Sequence, residues 1–93
     1  MSADRRREER LAADGEVSLE TRVPLRRVIQ GSLMDVSTHG FRASHTDGEL
    51  APGEKVRFSH PFGAGEAVVV WTRIVEGQMA SGFLVLDGMR PAA

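Results

Sequence analysis

Sorted by apolar and polar position, the chain falls into a start with almost nothing to bury and a long remainder that alternates. Positions 1–10 carry Asp4, Arg5, Arg6, Arg7, Glu8, Glu9 and Arg10. No core can be built from such a run, so it predicts an arm that is disordered, or a short exposed helix, when free. From Gly15 onward, Val17, Leu19, Thr21, Val23 and Leu25 alternate with Ser18, Glu20, Arg22 and Pro24. That period of two predicts a strand with one buried face. Pro24 cannot donate to a ladder and predicts an edge, a bulge or the strand's end. A second strand is expected over 28–36, with Gly31 as its candidate bulge, and a third over 41–45. Thr46-Asp47-Gly48 and Ala51-Pro52-Gly53 are turn chemistry, and the segment between them is too short for a useful helix. A fourth strand is expected over 56–58, followed by a connection over 61–65. The most β-prone stretch is 66–75, with Val68, Val69, Val70, Trp71 and Ile74. Glu76-Gly77 turns the chain, and 79–86 alternates again before Asp87-Gly88.

Short strands joined by short turns, with no amphipathic helix of three turns, predict an all-β domain, either an antiparallel barrel or a sandwich. The barrel is preferred because closure removes exposed sheet edges. The expected organisation is an arm over 1–14, a barrel over 15–88 and a short tail over 89–93. A length of 93 residues leaves no room for a second core.

Composition narrows the function classes. The longest apolar run, 67–71, is far short of a membrane span. The arginines at the start have no apolar stretch behind them, so no secretory signal is expected and the cytoplasm is the expected compartment. The absence of cysteine excludes disulfides, thiolate metal sites and a cysteine nucleophile. A net charge of −1, no tyrosine and a single tryptophan argue against a DNA or RNA polymer as partner. His39, His45 and His60 are scattered without acidic partners at ligand spacing, so no metal site is expected. No serine, histidine and acid set stands out, and no enzyme is expected.

Two motifs carry the candidate chemistry. In Leu33-Met34-Asp35-Val36-Ser37-Thr38-His39-Gly40-Phe41-Arg42, an apolar strand runs into a polar turn and out again. Asp35 and Ser37 have short side chains suited to backbone amides, and Gly40 can take a positive φ. The same turn presents a carboxylate, a hydroxyl and open backbone at one point. In the arm, Arg6 and Arg10 stand four apart with Arg5 directly before them. Taken singly, the arm reads as a solvated, salt-bridged helical turn and the other motif as an ordinary hairpin.

Taken together and in this order, ahead of an all-β chain, they resemble the PilZ domain family. Arg6 and Arg10 match its Arg-x-x-x-Arg motif, and Asp35, Ser37 and Gly40 match its Asp-or-Asn-x-Ser-x-x-Gly motif. The resemblance extends through Leu50-Ala51-Pro52-Gly53-Glu54-Lys55-Val56, Val69-Val70-Trp71 and Gly82-Phe83. It implies a six-stranded antiparallel β-barrel with a flexible arginine-rich arm, and cyclic di-GMP bound where the arm meets the barrel. By that analogy Arg6 and Arg10 grip guanines and phosphates, and Asp35 accepts from a guanine N–H edge. Ser37 bonds the base or braces the turn, and Gly40 allows close backbone approach. Arg5 implies an intercalated ligand dimer, two molecules per chain. Arg7 and Trp71 are further ligand candidates, Trp71 being read either as core or barrel-end packing or as a base-stacking platform. The implied partners are cyclic di-GMP, with no other cofactor, and an unidentified effector protein. The competing reading is a PilZ-like protein-interaction adaptor that binds no nucleotide.

Overall fold

A computed structural model describes residues 11–23 and 25–86. Its strands are β1 (Leu11–Ala12), β2 (Glu16–Thr21), β3 (Arg27–Val36), β4 (Gly40–Ser44), β5 (Lys55–His60), β6 (Gly63–Val75) and β7 (Gln78–Val85). Every pairing is antiparallel, in the order β3-β2-β5-β6-β7-β4, and β4 returns to β3. The six expected strands therefore close into a barrel, which leaves none of them with a bare edge to aggregate through.

The seventh, β1, lies within the stretch that sequence assigned to the arm. Leu11 stands opposite Val36 and Ala12 opposite Asp35. β2 then pairs with the same edge of β3, from Glu16 opposite Ser32 onward. Three residues, 13–15, thus face two on β3, bridged by Ala13 N–H to the Met34 carbonyl (3.1 Å) and Leu33 N–H to the Gly15 carbonyl (2.8 Å). β1 is the continuation of β2 across a bulge.

Alternation places the core as expected. Val17 and Leu19 on β2, Phe41 on β4, Phe58 on β5, Val69 on β6 and Phe83 on β7 all point inward and are buried. Phe41 is the hub: its ring stacks on Phe83 at 4.7 Å, tilts against Phe58 at 4.7 Å and meets His60 edge-on at 4.8 Å. Full burial of one such ring contributes about 1.5–3 kcal/mol.

Three local expectations are corrected. The first strand ends at Thr21, and Val23 and Leu25 are 77% and 70% exposed in the loop beyond it. Thr21 causes the break: its hydroxyl donates to the Leu25 carbonyl (3.1 Å) and accepts from Arg27 N–H (3.2 Å), a local alternative to the ladder. The connection expected over 61–65 shrinks to Pro61-Phe62, because Gly63 already pairs with His60. Gly31 is not a bulge. It pairs in register with Val17, and a Cβ there would strike the Ser44 carbonyl. The irregularity in β3 lies between Leu33 and Asp35 instead, and a second lies in β6 between Val69 and Trp71.

Candidate functional site

The bulge at Met34 decides where the acidic residue of the motif points. Leu33 pairs with Ala43, and after the shift Asp35 pairs with Arg42 and Val36 with Phe41. Phe41 and Ala43 face the core, so Arg42 between them faces out, and Asp35 faces out with it. Unbulged, Asp35 would share the inward face of Leu33. The extra residue moves a carboxylate from core to surface without breaking the strand.

On that outer face Asp35 is engaged by Arg42. The Arg42 Nε donates to Asp35 Oδ2 at 2.8 Å and Nη2 donates to the same oxygen. Asp35 is only 6% exposed. The hydrogen bond that Arg42 donates to Asp35, outweighing the opposing effect of burial, raises the guanidinium pKa above its ordinary value.

The turn that follows has three residues, Ser37-Thr38-His39. Ser37 braces it, donating from its backbone N–H (2.9 Å) and its hydroxyl (3.4 Å) to the Gly40 carbonyl. Asp35 itself lies in β3, outside the turn. The expected positive φ at Gly40 is also corrected, since Gly40 is the first residue of β4 and is not among the positive-φ residues. Its lack of a side chain answers a different need. Gly40 pairs with Leu84, and a Cβ would collide with the Phe83 carbonyl, so β7 is the backbone that approaches closely.

The second bulge does to Trp71 what the first does to Asp35. Val69 pairs with Phe83 on the core face, and after the shift Trp71 pairs with Gly82 and Thr72 with Ser81. Trp71 is therefore half-buried on the outer face and outside the core cluster, which corrects its reading as core packing. Its indole covers Gly82, filling the space a Cβ would need, and the Arg73 guanidinium sits 4.3 Å from the ring centre. Gly82 in turn pairs with Arg42. Ala12, Asp35, Arg42, Gly82 and Trp71 thus form one row across five strands, with about 14 Å of sheet between Asp35 and Trp71. The row carries the Asp35 carboxylate paired with the Arg42 guanidinium and, across a Gly82 that the indole covers, the Trp71 ring with the Arg73 guanidinium on it, groups able to hydrogen-bond to and stack with a flat polar heterocycle. Arg5, Arg6, Arg7 and Arg10 lie outside the described residues. The topology does bring Leu11, the neighbour of Arg10 in sequence, directly beside this row.

A second polar cluster is structural. Asp47 N–H donates to His45 Nδ1 (3.1 Å), leaving Nε2–H to donate to Ser81 Oγ (2.7 Å). Ser81 donates to Thr72 (2.6 Å), and Thr72 to the Leu50 carbonyl (2.8 Å). Burial lowers the His45 pKa and favours the neutral ring that this chain requires. The arrangement has the residue types of a hydrolytic triad, but Ser81 is 0% exposed and the Asp47 carboxylate binds Arg27 Nε (3.1 Å) and Glu49 N–H (2.8 Å). It fastens the 46–54 loop to the barrel. Among the described residues, no group of three His, Cys, Asp or Glu could hold a metal ion.

No protein-family profile and no curated protein sequence matches the chain. Among solved structures it is similar to the PilZ domain with c-di-GMP of YcgR from Escherichia coli, with a TM-score of 0.70. The fold is that of a PilZ domain. The similarity covers 90% of this chain and 79% of that one at 18% identity, so the PilZ-like barrel is kept while most of its side chains differ.

Sequence reasoning missed Arg42 and the His45–Ser81 brace. Arg42 had a usable signal: an acid before a short turn and a base after it become cross-strand neighbours in a hairpin. His45 and Ser81 are 36 residues apart and carry no local signal.

Proposed function

We propose that this domain is a receptor for cyclic di-GMP, bound between the arm and the outer row of the barrel, and that occupancy alters the surface offered to an effector protein. The observation that carries this reading is the pairing of Ala12 with Asp35. Directly after the Arg-x-x-x-Arg motif the chain joins β3 beside Asp35, so the first described residues past one motif lie against the other. The similar PilZ domain of YcgR, described with c-di-GMP, supports the same ligand class.

In this reading Arg6 and Arg10 supply planar forks of donors for guanine O6 and N7 or for phosphate. Asp35 accepts from the guanine N–H edge, Ser37 holds the turn that aims it, and Gly40 keeps the two strands in contact. Trp71 is the stacking face. Arg5 holds a second ligand molecule, giving two per chain, and Arg7 stands beside them. Ordering an arm costs about 1–2 kcal/mol per residue in backbone entropy. A bidentate arginine–guanine contact returns roughly 1–3 kcal/mol. Arginines alone only offset the ordering, so stacking and the rigid row supply the surplus, and the arm is ordered by the ligand. The domain acts by binding, without catalysis.

Isothermal titration of cyclic di-GMP into the full chain and its Arg6→Ala variant tests this. Saturation near two ligands per chain, abolished by the substitution, is expected. A stoichiometry of one would keep the receptor and remove the ligand dimer. No binding by the wild type would leave the interaction-only adaptor as the reading.

A further inference from the structure

We infer that Arg42 is a positioning residue, which fixes the Asp35 carboxylate as an acceptor on the outer row and thereby sets selectivity for guanine over adenine. The inference rests on the receptor reading and adds to it a residue that belongs to neither motif.

Three observations carry it. First, the pair is built by the backbone. Asp35 and Arg42 are directly opposed across β3 and β4 and face outward, while Val36 and Phe41 on one side and, past the extra residue at Met34, Leu33 and Ala43 on the other face the core. Second, the contact is a double one onto a single oxygen, Nε at 2.8 Å and Nη2 to the same Oδ2, which fixes the rotation of the carboxylate as well as its place. Third, among the described residues Arg42 has no rival acid across the sheet. Its neighbour on β7 is Gly82, and along the outer face of β4 it is flanked by Gly40 and Ser44. The guanidinium is therefore committed to Asp35, and being charged at every accessible pH it compensates a carboxylate that is 6% exposed.

The chemistry of the two purines makes that commitment consequential. The Watson–Crick edge of guanine offers N1–H and the N2 amino group, both donors. Adenine presents a bare N1, an acceptor, at the corresponding place. A fixed carboxylate rewards the first and repels the second, and rejection is sharpest when the acceptor cannot turn away. A carboxylate released from Arg42 could rotate or recruit water, and the difference between the purines would shrink.

The test is titration of cyclic di-GMP and cyclic di-AMP into the full chain, with Arg42→Ala, Arg42→Lys, Asp35→Asn and the Asp35→Asn/Arg42→Ala double variant, folding being checked by circular dichroism. Arg42→Ala should weaken cyclic di-GMP at least tenfold and narrow its margin over cyclic di-AMP. Arg42→Lys, which keeps the charge but loses the fork, should fall between, and it serves if the alanine variant does not fold. In the Asp35→Asn background Arg42→Ala should change neither affinity further, because a residue that acts through Asp35 has nothing left to position. An unchanged affinity and margin in Arg42→Ala, a tighter complex, or an equal loss in the Asp35→Asn background would each overturn the inference while leaving the receptor intact. Failure of the wild type to bind cyclic di-GMP would overturn both.

Discussion

Two arginine–carboxylate pairs cross the outer face of this barrel between neighbouring strands, and they differ in almost everything except chemistry. Arg57 and Glu66 are partners on β5 and β6, where the register is unbroken. Their closest approach is 3.9 Å, with side chains 58% and 48% exposed. Arg42 and Asp35 are partners on β3 and β4 just past a bulge, with side chains 38% and 8% exposed and an Nε–Oδ2 distance of 2.8 Å. The first pair is a solvated contact of the kind that contributes roughly 0–1 kcal/mol. The second is an acid withdrawn from water and held at one oxygen by two nitrogens of a guanidinium. The difference comes from the backbone: one extra residue turns a position that would face the core onto the surface and seats its side chain among neighbours.

The comparison breaks most completely if the bulge is removed. Inserting one alanine between Arg42 and Ala43, opposite Met34, restores simple alternation and turns Asp35 and Arg42 inward beside Leu33. Burying that charged pair and turning Phe41 out of the core should cost at least about 3–5 kcal/mol, enough to leave most of the chain unfolded, as read by urea denaturation. A smaller effect is expected at the second bulge. Gly82→Ala places a methyl group where the Trp71 indole lies. Overpacking there should cost about 1–3 kcal/mol and shift the emission of the single tryptophan to the red as the ring lifts into water. The smallest effect is expected at the solvated pair, where Arg57→Ala should change stability by less than about 0.5 kcal/mol in the same denaturation assay. A loss there as large as that at Gly82 would remove the distinction between the bulged and the regular half of the barrel.

That distinction also explains how far the chain could be read without coordinates. Strands and core were legible because burial follows the period of two: Val17, Leu19, Phe58 and Val69 sit where alternation puts them. The outer row was not. A bulge is one residue too many, and Met34 and Val70 are ordinary apolar side chains that carry no mark of it. Past each of them the phase reverses, so Asp35 and Trp71 face opposite to a straight reading. The glycines misled for a related reason. Gly31 suggests a bulge and Gly40 a positive φ in sequence, whereas each is small because backbone from another strand occupies its side-chain space. β1 is two residues long, too short to show any period. The identities of Asp35, Ser37 and Gly40 were visible as a motif, but what surrounds Asp35 depended on pairing.

The two-residue strand β1 also acts as a leash. Leu11 is pinned opposite Val36, and Arg6 lies five residues upstream of it. At roughly 3.3–3.6 Å per residue, the backbone of Arg6 cannot stray more than about 18 Å from that anchor, whatever course the chain takes. An arginine confined to so small a volume meets any molecule resting on the outer row at an effective concentration on the order of tens of millimolar. In the receptor reading proposed above, capture by the arm is then an intramolecular event whose rate is independent of protein concentration. The same arginines supplied as a separate peptide would have to reach roughly tens of millimolar to match it.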